Sequence, residues 1–183
     1  MNLTGQIIVS MPFLEDERFY KTVIYMCAHS SEGSMGIIIN KKIDYDLYPD
    51  LLQQLGIDKP LNNKKLFIRY GGPVESGRGF VLHSDDMVRK ETLSIDKGVA
   101  LTSTAEFFDD LSKGKGPKKS ILALGYAGWQ PGQLEYEILQ NSWMSLSVDN
   151  SFLFDDEVSR KWSQAYKIMG IDPSSLSFQS GRA

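Results

Sequence analysis

Apolar and polar positions alternate along this chain in short runs that switch between a period of two and a period near three and a half. Residues 5–11, 21–28, 35–40, 66–70, 79–84, 120–127 and 143–148 are apolar or β-branched runs, most of them bounded by Gly, Pro, Asn or Ser, and they predict short strands. Two further strands are predicted near 87–95 and 99–102. Both faces of 21–28 are largely apolar, so it is expected to be a central strand covered on both sides. Simple alternation puts Val23, Tyr25, Cys27 and His29 on one face and Thr22, Ile24, Met26 and Ala28 on the other. A turn at Ser30–Gly33 then leads back into 35–40 as an antiparallel hairpin. The run 13–19 reads as a loop or single turn, and 58–65 as a loop.

Helical spacing appears later and in single stretches. Residues 48–55 carry Pro49 in the first turn, a stripe of Leu51, Leu52 and Leu55, and Gly56 just past the end. Ser103-Thr104-Ala105-Glu106 has the spacing of a capping box ahead of Phe107, Phe108 and Leu111, with a stop at Gly114. A helix over 131–140 is entered through Gly128-Trp129-Gln130 and turns Leu134 and Ile138 inward. The clearest periodicity is over 155–169, where Val158, Trp162, Ala165 and Met169 recur behind Asp155 and Asp156 at the positive end of the helix dipole. Strands that cluster first, with helices inserted one at a time, predict an α+β fold with a mostly antiparallel sheet.

Composition narrows this picture. At 183 residues, with 42% hydrophobic and 23% charged positions and no linker-like stretch, residues 1–183 are expected to form one domain with a sizeable core. Lys and Arg number 20 against 23 Asp and Glu, and the net charge of -3 argues against direct nucleic-acid binding. A single cysteine cannot form an internal disulfide, which suits a reducing cytosol. The first nineteen residues lack a basic start, and Ser10 and Pro12 interrupt their apolar run. Neither a signal peptide nor a membrane helix is expected, so the reading is a cytoplasmic protein without a membrane partner.

Three ordered motifs then point to a family. The first is Ser10-Met11-Pro12-Phe13-Leu14, leading into Val23–His29 and Gly33-Ser34-Met35-Gly36-Ile37-Ile38-Ile39-Asn40. The second is Gly71-Gly72-Pro73-Val74 with Arg78-Gly79-Phe80-Val81-Leu82-His83. The third is Leu124–Trp129, then Pro131-Gly132-Gln133-Leu134-Glu135 and Asn141-Ser142-Trp143. In this order they resemble the YqgE/AlgH family of small bacterial proteins over nearly the whole chain. The sequence departs from the family pattern at Glu17 and after Asn40, where Pro is common. The resemblance implies a single domain with a strongly bent, partly closed sheet flanked by helices. It implies no reaction. Members are often labelled transcriptional regulators, after one whose name reflects regulation of alginate synthesis.

The candidate chemistry is sparse. If Cys27 and His29 share a strand face, their Cα atoms lie about 6–7 Å apart, too far for a thiolate–imidazole pair without twisting or side-chain bending. Cys27 therefore reads as a small buried hydrophobe. His29, at the strand end, fits either a structural hydrogen bond or a ligand contact. Gly71-Gly72-Pro73 fits a tight turn better than an anion nest charged by Arg69 or Arg78. His83 ends a strand and meets His29 only if both ends lie at one rim. No Cys-x-x-Cys, His-Glu-x-x-His or Gly-x-Ser-x-Gly occurs, so neither a metal, a cofactor nor a serine nucleophile is expected. The Lys113-Lys115-Lys118-Lys119 turn reads as a solvated loop. Tyr126, Trp129 and Trp143 read as pocket wall or core, with Trp129 the least core-like.

The function expected from this is a non-enzymatic binding or regulatory module that recognises a small molecule or a protein. Its expected site residues are His29, Gly33, Gly36, Gly71, Gly72, Pro73, Arg78, His83 and Trp129. The alternative is an enzyme, such as a hydrolase or thiol-dependent transferase, using Cys27, His29 or His83.

Overall fold

Among the described residues nine strands form one bent sheet. In a computed structural model, residues 2–43, 53, 68–96 and 98–176 are described. The strands are β1 (Ile7–Ser10), β2 (Val23–Ser30), β3 (Gly33–Ile38), β4 (Ile68–Tyr70), β5 (Val74–Ser84), β6 (Leu93–Asp96), β7 (Val99–Thr102), β8 (Ser120–Trp129) and β9 (Trp143–Leu146). Their order is β6-β7-β5-β8-β3-β2-β1-β9, antiparallel throughout, and β4 joins β8 in parallel through Ile68↔Leu122 to Tyr70↔Leu124. The expected hairpin is β2–β3, closed by Ser31 and Glu32, where the Ser30 hydroxyl accepts the Glu32 N–H.

β8 is the spine of this sheet. Its first half lies between β5 and β4, and its second half pairs with β3. The bend falls between them at Gly125, which has φ +69 and would place a Cβ 2.4 Å from Gly72 O. Opposite it, the β5 register jumps from Val74↔Tyr126 to Gly79↔Leu124. What reads as a turn over 71–77 is therefore in part an irregular strand beginning at Val74. The curl brings Gly5, ahead of β1, against Asp96 at the end of β6, so close that a Cβ on Gly5 would lie 2.7 Å from the Asp96 Cβ. The hydrogen-bonded path itself stays open between β6 and β9.

Four helices cover the sheet among the described residues: α1 (Ala105–Ser112), α2 (Gln133–Leu139), α3 (Asn150–Phe154) and α4 (Lys161–Ile168). One core cluster lies on the face of Ile7, Val9, Tyr25, Cys27, Ile37 and Ala123, under Leu153 of α3 and Trp162, Ala165 and Tyr166 of α4. Ser10 O fixes α4 there by accepting from Trp162 Nε1 at 2.9 Å and Tyr166 OH at 3.1 Å. A second cluster joins Leu3, Ile8, Ile24, Met26, Trp129 and Trp143 to Leu134 of α2. A third packs Phe107, Phe108 and Leu111 of α1 on Val81, Leu122 and Leu124.

Several local expectations change. The capping box does not form: Thr104 caps α1 without a side-chain bond, while Ser103 Oγ donates to Gly79 O and accepts from Arg78 Nε. The predicted helix over 155–169 is a 3-10 turn (Val158–Arg160) followed by α4, and α3 precedes it without having been expected. The strand near 87–95 is confined to β6. The predicted helix over 48–55 and loop over 58–65 lie outside the described residues, apart from residue 53.

Candidate functional site

The C-terminal end of β8 gathers several of the expected site residues. β3 pairs there through Ser34↔Trp129 and Met35↔Gly128, and Val74 of β5 lies opposite Tyr126. Gly33 allows β3 to begin this close, because a Cβ would sit 2.7 Å from Trp129 O.

Two surface depressions meet over Val74, Gly128 and Trp129. The first, about 550 Å³ and open, is lined by Ala28, Met35, Tyr126 and Pro131 with polar Ser30 and Glu32. The second, about 380 Å³ and more enclosed, is walled by Phe19, Pro73 and Trp143 with Asp16, Arg18 and Glu137. A third, of about 270 Å³, continues from the first through Met35 and Tyr126 to Arg78 and Phe80. Together they make a trough over the sheet end.

The second depression has a fixed polar centre. Glu137 Oε2 accepts from Trp129 Nε1 at 3.0 Å and Trp143 Nε1 at 2.8 Å, and Oε1 accepts from Gln133 Nε2 at 2.9 Å. The two indoles meet edge to face at 6.0 Å, and Phe19 sets its edge on Trp143 at 5.5 Å. Such a wall loses little freedom when something binds against it. At its rim Arg18 pairs with Asp16 at 2.7 Å, and that hydrogen bond holds the Asp16 carboxyl below its usual range.

His29 is buried and does not line the trough. Cys27 is the extra residue of a β-bulge, since Met26 pairs with Gly36 and Ala28 with Met35. The bulge resets the alternation, so His29 goes to the face opposite Cys27. This overturns the expectation that the two share a face. There His29 Nδ1 accepts the Leu3 N–H at 3.2 Å, which leaves the proton of the neutral ring on Nε2. Nε2 lies 3.0 Å from Glu135 Oε1 of α2, a close contact that is not a well-directed hydrogen bond.

The other reactive candidates are apart and buried. Cys27 is 2% exposed, and burial pushes its thiol up to about 12. His83 does not meet His29. It pairs with Ser120 at one end of β8, whereas the partner of His29, Ser34, pairs with Trp129 at the other. At about 3.3 Å per residue those ends are on the order of 30 Å apart along the strand. His83 Nδ1 donates to Ser84 O and its Nε2 accepts from Thr102 Oγ1, both at 2.9 Å, against the face of Phe107. Its pKa is lowered, chiefly by burial. Among the described residues no three His, Cys, Asp or Glu side chains converge as metal ligands.

The glycines divide in the same way. Gly71 and Gly72 hold their backbone against Gly125 O and Tyr126, where a Cβ would come within 2.2 Å and 2.1 Å. They are packing glycines, and Pro73 after them reaches the second depression. Gly36 is also a packing position, against Ile24 and Tyr25 O. Arg78 is exposed, paired with Glu75 at 2.9 Å, and borders the third depression. Trp129 is 8% exposed, so its ring is mostly packed in the core while the residue still lines the first two depressions. Sequence reasoning missed Glu137 and Glu135. The available signal was two carboxylates on one short helix between Trp129 and Trp143.

One bent, mostly antiparallel sheet with helices on both faces and an aromatic-walled trough at its β8 end defines a small single-domain α+β protein. The chain belongs to the AlgH-like family: the sequence model of that family, DUF179, matches residues 7–174. It is 49% identical to a UPF0301 protein of Rhodopseudomonas palustris (strain BisB18), with 99% of this chain and 89% of the relative covered. It is also 49% identical to a UPF0301 protein of Nitrobacter hamburgensis, covering 99% and 88%. The solution structure of the AlgH protein from Pseudomonas aeruginosa superposes with a TM-score of 0.80 at 34% identity, covering 100% of this chain and 97% of that one. The crystal structure of protein DIP2367 from Corynebacterium diphtheriae shares the fold, with a TM-score of 0.70 at 19% identity over 91% and 86% of the two chains. Among the described residues no helix is long and apolar enough to cross a membrane.

Proposed function

We propose that the protein is a non-enzymatic cytoplasmic binding module that acts in regulation by recognising a protein segment or small ligand in the trough over Val74, Gly128 and Trp129. The observation that carries this reading is the shared carboxylate of Glu137, which locks two indoles into one wall. The size of the first two depressions, about 550 and 380 Å³, falls within the range of ligand pockets, and their continuity suits an extended occupant. Cys27, His29 and His83 support it as well, since each is buried and none of them lines the trough. The net charge of -3 favours a ligand or protein over DNA as the thing recognised.

The test is a thermal-shift and NMR screen of metabolites, nucleotides and short peptides on wild type beside Gly128→Arg. Gly128 is exposed in the trough and has no positive φ, and a Cβ there lies 3.1 Å from Tyr126 Cε2, so the arginine fills the groove once the Tyr126 ring shifts by a few tenths of an ångström. A ligand seen with wild type and lost in the variant is expected. A ligand that binds both equally, or turnover of any compound in the panel, would overturn the reading. So would a silent panel together with no cross-linked partner from a photo-reactive group placed at Gln130.

A further inference from the structure

Two cationic side chains are buried on the α3–α4 side of the sheet, away from the trough. Arg69 is 2% exposed and Lys161 fully buried. β4 pairs Arg69 with Ala123, and paired residues of parallel strands face the same way, so the guanidinium enters the layer of Leu153, Trp162 and Tyr166. Among the described residues its one carboxylate contact is Nη2 to Asp156 Oδ1 at 3.4 Å, and the Asp156 side chain is 79% exposed. Nε and Nη1 have no hydrogen-bond partner among the described residues. Lys161 Nζ donates to Phe152 O and lies 4.9 Å from the centre of the Phe152 ring. That leaves further ammonium protons, and burial, with a smaller contribution from the Arg69 charge, lowers the Lys161 pKa to about 8 against Asp155 and Asp156, which raise it.

A buried cation without a paired anion is costly, and unpaired buried donors in a folded protein call for an explanation. Asp156 supplies negative charge from the solvent side, and half-buried Asp155 makes no hydrogen bond to either cation. Both side chains contact the short segment Phe152–Asp156, Arg69 through Asp156 and Lys161 through Phe152. Two buried cations on one segment match the charge of a doubly charged oxyanion, and both present N–H donors in number. We propose that Arg69 and Lys161 form a binding site for a phosphate-class oxyanion, free or carried on a larger ligand, entered past Asp156. The anion accepts from a free guanidinium nitrogen of Arg69 and from Lys161 Nζ, and displaces the weak contact to Asp156.

The experiment titrates inorganic phosphate against chloride of equal ionic strength and follows the melting temperature and the Arg Nε–H NMR signals. A specific ligand raises the melting temperature in a saturable, logarithmic manner that screening by chloride does not reproduce. Arg69→Met and Lys161→Met are expected to lose the phosphate-specific shift. Asp156→Asn removes the competing carboxylate from an exposed position, should fold normally, and is expected to tighten phosphate several-fold. A nucleoside monophosphate run in parallel separates the sources: a larger shift than with phosphate assigns the site to a phosphate on a larger ligand, and an equal or smaller one to the free ion. Equal responses to phosphate, organic phosphate and chloride in both wild type and Asp156→Asn would overturn the proposal. So would a phosphate shift that survives in Lys161→Met with unchanged midpoint.

Discussion

Trp129 and Trp143 donate their indole N–H groups to one carboxylate oxygen, Glu137 Oε2, at 3.0 and 2.8 Å. A residue of a short helix thus ties the last residue of β8 to the first of β9, across two strands that are not neighbours in the sheet. Glu137→Ala leaves both donors without their acceptor. Unsatisfied buried donors cost roughly 1–3 kcal/mol each, and water in the adjoining groove offsets part of that, so a loss of about 2–3 kcal/mol is expected. Glu137→Gln retains one acceptor oxygen and should cost about half as much. Urea unfolding followed by tryptophan fluorescence measures both, with a red shift in the native spectrum of the Ala variant. An unchanged midpoint would mean that the shared carboxylate does not stabilise the wall.

Cys27 is expected to be silent in the folded protein. Its thiol is 2% exposed, and burial raises its pKa from about 9 to about 12. A disulfide reagent at pH 8 should label it within seconds in urea and negligibly in native buffer. The same shift sets an alkaline trend. Above pH 9 the unfolded chain loses the thiol proton and the folded one keeps it, so this group's contribution to stability falls between pH 9 and 12. Cys27→Ala should remove that part of the slope. Rapid native labelling would contradict the burial and reopen thiol chemistry.

The strand content and the order of motifs were legible because buried strands here are β-branched and their turns carry Gly and Pro. The face of His29 was not. One extra residue at Cys27 inverts every side chain after it, and a bulge leaves no mark in a run that is apolar on both sides. The same two-sided burial hid the role of Trp129, whose glycine-flanked sequence reads as a loop although its ring is core. His83 was misplaced relative to His29 because their separation depends on which ends of β8 their neighbours pair with, a long-range register that local patterning does not encode. The capping box failed for a local reason: Ser103 already serves Gly79 O and Arg78.

Gly125 and Gly132 share a left-handed backbone and differ in what surrounds them. Both have φ near +70, but a Cβ at Gly125 meets Gly72 O at 2.4 Å and Val74 O at 2.8 Å, while one at Gly132 meets nothing within 4 Å. Gly132→Ala is expected to cost only the conformational term, about 1 kcal/mol. Gly125→Ala adds a clash with two backbone carbonyls at the bend of β8, and a loss of at least about 3 kcal/mol or failure to fold is expected. Equal midpoints for the two variants would mean that β8 can unbend without cost.

His83 should make the protein acid-sensitive. Its Nδ1 faces the Ser84 carbonyl, so that nitrogen carries the proton and Nε2 accepts from Thr102 Oγ1. Thr102 in turn lies 2.8 Å from Thr92 Oγ1, which accepts the Arg89 N–H, so the hydroxyls form a chain directed at the imidazole. Protonating His83 would set a new donor against Thr102 and force the chain to reverse. Burial beside Phe107 is what lowers the pKa, outweighing the Ser84 carbonyl, Asp86 and Asp85, which favour the charge; the folded-state pKa lies below the usual 6.5. As pH falls below 6.5 the unfolded chain takes up the proton and the folded one does not, so stability is full above 6.5 and declines toward the folded-state value. His83→Gln stays neutral throughout. It should be less stable than wild type at pH 7 by about 1–2 kcal/mol for the altered hydrogen bonds, yet show a flatter stability profile from pH 7 to pH 5. Chemical unfolding of both proteins across that interval decides the matter, and parallel profiles would assign the acid sensitivity to other groups.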